Sequence, residues 1–256
     1  MSLDACAQIV ERNDPDRFLA VMAAPLWTRG LLLPLYAFNL EVARAPWVAQ
    51  EPLVAEMRLQ WWRDVVEAAG DGAAPPAHEV AGPLHHLIRD AGLPVGVLDR
   101  LIAARRWDCW REPFDDRAAL ESYLDDSAGG LMWLAVRALG APDAAEGAAR
   151  AYGRAAGMAA FLRAMAELRA RGRHPLPAGA DVAGLARRGL DWLAEARAAR
   201  RRLPGAVRPA LLAGWQAGAL LRKAEAVPDL VEGGQLALSE FARRRLLLWQ
   251  AVSGRF

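Results

Sequence analysis

Residues 53–69 read LVAEMRLQWWRDVVEAA, with Leu53, Met57, Trp61 and Val65 at intervals of four. Side chains spaced this way share one face of an α-helix. The interval predicts a helix over 50–69, ended by the Gly-, Ala- and Pro-rich loop from Gly70 to Pro76. The same periodicity runs through nearly the whole chain. Asp14-Pro15 reads as an N-cap followed by a first-turn proline, opening a helix near residue 15. Further helices are expected over 27–44 (with Pro34 as a kink), 78–91, 95–110, 117–139, 144–170, 181–202, 205–224 and 235–252. Pro142 and Pro204 read as connector or first-turn prolines. No stretch alternates with period two for the length of a strand, and no internal repeat is visible. The expectation is an all-α protein forming one domain over residues 1–256.

Composition narrows the function classes. The 256 residues are 54% hydrophobic and 24% charged, a globular balance. With 32 basic and 30 acidic residues the formal charge is only +2, which gives no basis for a nucleic-acid partner. Cys6 and Cys109 have no metal spacing and make no disulfide scaffold, so a reducing cytoplasm is expected. The start MSLDACAQIV lacks the basic and apolar regions of a signal peptide. The most apolar stretch, Val21 to Phe38, is interrupted by Pro25, Arg29 and Pro34 and does not read as a membrane span. His85-His86, Asp115-Asp116 and Asp125-Asp126 are adjacent pairs, whose side chains diverge on a helix, so they suggest no metal site.

A series of short motifs resembles the squalene/phytoene synthase family. Arg29 with Leu35-Tyr36-Ala37-Phe38 is similar to that family's early helix, and Trp62-Arg63 to its Leu-x-x-Trp-Arg helix. Arg106-Trp107-Asp108 resembles its Arg-Met-Asp segment, and Tyr123 with Ala128-Gly129 its Tyr-x4-Ala-Gly element. Phe161-Leu162-Arg163 stands where the family has Ile-Leu-Arg-Asp. The run Arg171-Gly172-Arg173-His174-Pro175-Leu176-Pro177 matches its Arg-Gly-Arg-x-x-Leu-Pro loop. Order and spacing hold from about residue 15 to 177.

The resemblance implies an isoprenoid synthase-type helical fold around a central cavity, lined here by Tyr36, Phe38, Tyr123, Gly129, Gly157, Ala160 and Phe161. Working members hold allylic diphosphates through Mg²⁺ on two motifs, each with aspartates four residues apart. Two such carboxylates share one helix face and supply the oxygen ligands that Mg²⁺ requires. Carried onto this sequence, the four positions are Ala43, Trp47, Ala164 and Leu168, and none has a side-chain oxygen. No metal or other cofactor is therefore expected, with Mg²⁺ retained only for an atypical metal site. Trp47 and Leu168 are expected to narrow the cavity.

Arg29, Arg163, Arg171 and Arg173 are candidates for binding an anion or diphosphate. The alternative for Arg29 and Arg163 is pairing with Glu41, Asp108 or Glu167. The alternative for the Arg169–Arg173 loop is a solvated surface. Trp27, Trp61, Trp62, Trp107, Trp110 and Trp133 read as core packing, or as an aromatic box for an apolar ligand.

Phe38-Asn39-Leu40-Glu41 and Met57-Arg58-Leu59-Gln60-Trp61-Trp62 resemble Phe-Asn-x-Glu and Met-Arg-x-Gln-x-Trp segments of a non-catalytic branch, that of a mitochondrial complex I assembly factor. This implies a non-enzymatic protein assisting respiratory-complex assembly, or one binding a lipid or isoprenoid. The alternative is a prenyltransferase joining allylic diphosphates at an atypical metal site. The expected partners are an isoprenoid or lipid ligand and a respiratory-complex subunit. Phe241 to Trp249, where Arg243, Arg244 and Arg245 stand beside apolar residues, reads either as a peripheral membrane contact or as a core-facing last helix. The expected location is cytoplasmic, at the inner face of the cytoplasmic membrane.

Overall fold

A computed structural model describes residues 3–49, 51–110 and 112–256. Gln50, where the sequence begins its second long helix, and Met1-Ser2 of the N-terminal stretch lie outside the described residues. Most of the described residues are helical, with no strand among them.

The chain opens with α1 (Leu3–Asn13), a helix that the motif spacing does not predict. Asp14 then caps α2 (Pro15–Ala23), its carboxylate accepting from the Arg17 amide at 3.0 Å. The helix α3 (Arg29–Val48) contains both Pro34 and Pro46, and is followed by α4 (Pro52–Gly70). Three shorter helices come next: α5 (Ala81–Ala91), α6 (Val95–Ala104) and α7 (Arg106–Cys109), so the expected helix over 95–110 is broken at Arg105.

The expected 117–139 helix is α8 (Arg117–Leu124), a π-helical turn over Asp125–Gly129, and α9 (Gly130–Ala138). The long α10 (Glu146–Ala170) and then α11 (Val182–Ala198) follow. The expected 205–224 helix is divided into 3₁₀ turns, a single-turn α12 (Arg208–Leu211) and the ten-residue α13 (Ala217–Ala226). Gly214 lies in the interrupted stretch, where an added Cβ would sit 2.7 Å from the Tyr152 ring. Pro142 and Pro204 each precede a short 3₁₀ turn. The chain ends with α14 (Asp229–Glu232) and α15 (Glu240–Ser253).

Two groups of helices make the frame. One is α3 with α1, α4, α5 and α9; the other is α10 with α11 and α13. The π turn and α9 contact α10 and join the two groups. At this joint α10 carries Gly153 and Gly157, against which Ala128 and Gly129 lie very close. A Cβ at Gly153 would stand 2.5 Å from the Ala128 carbonyl oxygen, so the close approach requires glycine. Buried aromatic and aliphatic side chains from both groups, including Phe38, Leu134, Tyr152 and Trp192, belong to one hydrophobic cluster.

The helix α4 forms as its periodicity predicts, but it buries a different face. Its buried residues are Ala55, Leu59, Trp62, Val65, Val66 and Ala69. Leu53 and Met57 are 64% and 72% exposed. Successive steps of four drift by about 40° per step on a 3.6-residue helix. A packing seam therefore mixes threes and fours, as 55, 59, 62, 66 and 69 do. The tryptophans divide similarly. Trp62 and Trp133 are core residues, while Trp27, Trp61 and Trp110 are exposed, which corrects the core reading for those three.

Candidate functional site

A cavity of about 600 Å³ lies between the two helix groups. This is within the range of roughly 300–1,000 Å³ usual for small-molecule sites. One wall is a stripe on α3, where Tyr36, Asn39, Leu40, Ala43 and Trp47 recur at helical spacing. Another wall is α10, contributing Gly153, Gly157, Ala160, Ala164 and Leu168. Tyr123, Leu124 and Leu131 of α8 and α9 and Leu220 of α13 add to the lining. Small residues on α10 leave the space, and Trp47 and Leu168 line it without filling it.

The four positions given by the resemblance, Ala43, Trp47, Ala164 and Leu168, all line this cavity. Their side chains offer no oxygen to a cation. Among the described residues, no group of three or more His, Cys, Asp or Glu side chains is placed to hold a metal ion. The acids that do line the cavity are engaged by arginine. Asp14 lies 3.2 Å from Arg17, Asp16 lies 3.0 Å from Arg163, and Glu167 lies 2.5 Å from Arg171. Glu41, on a separate, smaller pocket beside Trp61 and Trp62, is 3.5 Å from Arg44. This donor set does not fit Mg²⁺, which takes carboxylates turned toward a shared centre.

A buried polar triad forms another part of the lining. Arg105 donates to the Tyr123 hydroxyl at 2.7 Å, and that hydroxyl donates to Asp108 at 2.9 Å. Arg105 also stands 3.4 Å from the Asp108 carboxylate. Burial pushes the Asp108 carboxyl up, with Arg105 and Tyr123 opposing it, and raises the Tyr123 hydroxyl as well. The motif resemblance singles out Arg106, but Arg106 bonds Glu56 at the surface. Two arginines in succession leave this choice undetermined in the sequence.

Two neutral polar groups on α3 are left over. The Tyr36 hydroxyl and the Asn39 side-chain oxygen are buried with no hydrogen-bond partner among the described residues. Tyr36 is 1% and Asn39 6% exposed. Burial pushes the Tyr36 hydroxyl up to about 12 despite the nearby Arg17, whose guanidinium lies over the ring at 5.0 Å. No sequence motif marks Asp16, Arg17 or Arg105 as a site residue, because only the fold brings α2 and the α6–α7 break to the cavity.

Several expected site residues lie elsewhere. Phe38 does not line the cavity; it packs edge-on against Trp62, with ring centroids 5.3 Å apart. Gly129 faces the α10 joint, where Asp125 and Arg154 surround it. Arg29 is directed back along the chain and donates to the Met22 carbonyl at 3.2 Å. Arg163 does line the cavity but pairs with Asp16 rather than with any of the three expected acids. Arg171 also lies 4.9 Å from the Trp47 ring centroid. Arg173 is the clearest departure from a solvated loop, being only 6% exposed. Its guanidinium donates to the backbone carbonyls of Trp107, Asp108 and Trp110 and lies against the Trp47 and Trp107 rings. It fastens the loop to α7 and is not available to a diphosphate.

Helices surrounding a lined central cavity define an isoprenoid synthase-type protein. The sequence pattern of the squalene/phytoene synthase family matches residues 10–180, and the chain belongs to that family. Among solved structures, a dehydrosqualene synthase in complex with ligand superposes with a TM-score of 0.80 at 16% identity, covering 98% of this chain and 95% of its own. Squalene synthase HpnC from Alicyclobacillus acidocaldarius gives 0.75 at 20% identity, over 88% of this chain and 93% of its own. These likenesses show the fold.

In sequence, the chain is similar to the NADH dehydrogenase (ubiquinone) complex I assembly factor 6 homolog of Drosophila melanogaster. The two are 30% identical over 169 residues, 62% of this chain and 49% of the fly protein. The human complex I assembly factor 6 is 27% identical over 160 residues, 62% of this chain and 48% of the relative. The chain spans about half the length of these relatives.

Proposed function

We propose that this chain is a non-catalytic member of its family that assists assembly of a membrane respiratory complex of the complex I type. The observation that carries this reading is the chemistry of the cavity wall. Ala43, Trp47, Ala164 and Leu168, onto which the motif resemblance carries the family's metal-binding aspartates, line the cavity and have no side-chain oxygen to give. Without a metal clamp, nothing neutralises a departing diphosphate. The similarity to complex I assembly factors supports the role itself. No metal or cofactor is required by it.

The test has two arms. The purified chain incubated with farnesyl or geranylgeranyl diphosphate and Mg²⁺ gives no coupled product. A deletion strain accumulates incompletely assembled NADH dehydrogenase on native gels. Clear turnover would instead support a prenyltransferase with an atypical metal site, and normal assembly would remove the assembly role.

A second reading is favoured by the cavity itself. A non-catalytic scaffold has no need to keep about 600 Å³ of lined space unless it holds something. An isoprenoid or lipid bound without transformation fits that space. The working place proposed for both readings is the inner face of the cytoplasmic membrane. No described helix is long and apolar enough to cross a membrane. On α15, however, Phe241, Leu248, Trp249 and Val252 are turned to solvent beside Arg244 and Arg245, a pattern suited to resting on a bilayer.

A further inference from the structure

The polarity of the cavity identifies the class of ligand, an inference that rests on the second reading above. The five arginines among the described lining residues each stand within 4.0 Å of a carboxylate. Asp16 is further engaged by Arg243. A diphosphate entering this cavity would meet cations already neutralised by their own acids, with no metal ligands beside them. Its charge would lose water and would have to compete with those acids for the guanidinium groups.

Arg17 Nε and Nη1 and Arg105 Nε lack hydrogen-bond partners among the described residues, but their guanidinium charges are already met by Asp14 and Asp108. The other unsatisfied groups of the lining are neutral. The Tyr36 hydroxyl, the Asn39 side-chain oxygen and the Trp107 indole nitrogen all belong to cavity-lining residues and lack hydrogen-bond partners among the described residues. Tyr36 and Asn39 are three apart on α3 and therefore share a face. Buried polar groups in folded proteins are ordinarily satisfied, so this concentration at one cavity indicates a missing partner. Asn39 offers an acceptor, Trp107 a donor, and Tyr36 either. An apolar part of the wall comes from Leu40, Leu124, Leu131, Met132 and Leu220.

We propose that the cavity takes an uncharged amphiphile, a long apolar chain ending in a hydroxyl-type head that is held at Tyr36 and Asn39. A hydroxyl both donates and accepts, which matches an acceptor amide beside a phenol. The chain then occupies the apolar part of the lining. The discrimination acts against the diphosphate ester of the same chain, whose head the paired arginines do not welcome.

The experiment compares three probes of one chain type on the delipidated full-length protein, with Mg²⁺ present. These are geranylgeraniol, geranylgeranyl diphosphate and the corresponding hydrocarbon, measured by equilibrium dialysis. The alcohol is expected to bind at least about tenfold more tightly than the diphosphate, and more tightly than the hydrocarbon. Tyr36→Phe combined with Asn39→Leu should weaken the alcohol by about five- to tenfold and leave the hydrocarbon unchanged. The thermal midpoint of the unliganded double variant should be equal to or above that of the parent, because the substitution removes unsatisfied buried groups. Diphosphate binding as tight as alcohol binding would overturn the neutral-head proposal while leaving the lipid-binding reading standing. An equal loss for alcohol and hydrocarbon would also overturn it, since the two residues would then only shape the cavity. Binding of none of the three would overturn the lipid-binding reading as well.

Discussion

Arg163 on α10 donates to Asp16 on α2 across 147 residues of chain, with Nη1 and Oδ2 3.0 Å apart. Arg243 of α15 donates to the other oxygen of the same carboxylate. One acid therefore ties the start of the chain, the cavity wall and the last helix together. Burial pushes the Asp16 carboxyl up, but hydrogen bonds from Arg163, Gln216 and Arg243 outweigh it, and the net shift is below the ordinary 3.8. A depressed acid stabilises the fold above its unfolded pKa, and that contribution disappears as pH falls through the folded value. Asp16→Asn should lower stability at pH 7 by about 1–2 kcal/mol, discounted because Arg163 is partly exposed. The difference from the parent should shrink steadily below about pH 4. Denaturant melts of both proteins at pH 7 and near pH 3 check this; a constant difference at the two pH values would contradict it.

The α10 joint makes a sharper steric prediction. A Cβ at Gly153 would meet the Ala128 carbonyl oxygen, the Met132 Cβ and the Gly129 Cα, all within 2.8 Å. Two of these three atoms are backbone and cannot rotate away. Gly153→Ala should cost about 2–3 kcal/mol through forced separation of α10 from the π turn. A Cβ at Gly147, on the same helix, would have no such neighbour within 4 Å. Gly147→Ala should be neutral or stabilising by up to about 1 kcal/mol from helix propensity. Thermal melts of the two variants should move in opposite directions or differ by several degrees.

The cavity chemistry predicts indifference to divalent metal. A ligand present at a hundred times its dissociation constant stabilises a fold by about 2.7 kcal/mol. Millimolar Mg²⁺ or EDTA should leave the melting temperature of this chain unchanged, with diphosphate absent or present. A rise of several degrees on adding both together would reveal a metal–diphosphate site that Ala43, Trp47, Ala164 and Leu168 do not provide.

The outward face of α15 predicts bilayer binding that combines apolar and ionic parts. The chain should sediment with vesicles containing phosphatidylglycerol and less with purely zwitterionic ones. High salt should weaken the interaction by screening Arg244 and Arg245. Phe241→Ser with Trp249→Ser should abolish sedimentation without lowering stability, since both side chains are largely exposed. Undiminished sedimentation of that variant would remove α15 from the contact.

Helix positions are legible in the sequence because capping and periodicity act locally. Asp14, Pro15 and the apolar repeats suffice for α2, α4 and α10. What lies on each face is less legible, as α4 shows: the interval of four at Leu53, Met57 and Trp61 marks a helix but not its buried seam. The cavity positions on α3 and α10 follow from motif order, yet the partners of their charges do not. Arg163 meets Asp16 and Arg173 meets three carbonyls only because distant segments converge. The breaks at Arg105 and around Gly214 are likewise set by tertiary packing, which propensity does not record.

Arg173 offers the most direct test of that convergence. Its planar guanidinium reaches the carbonyls of Trp107, Asp108 and Trp110 at once and lies against the Trp47 and Trp107 rings. An ammonium has the same charge but neither the fork nor the flat face. Arg173→Lys should therefore destabilise by about 2–3 kcal/mol, because a buried charge would keep its desolvation cost with fewer hydrogen bonds. Arg173→Met removes the charge while keeping a long side chain, and it strands the carbonyls, so a loss of similar size is expected. For a chain of this length each kcal/mol corresponds to roughly 2–4 °C, so both variants should melt about 4–12 °C below the parent. Arg169→Lys, on the exposed last turn of α10, should melt within about 1–2 °C of the parent. If Arg173→Lys behaved like Arg169→Lys, the loop would be a solvated surface after all.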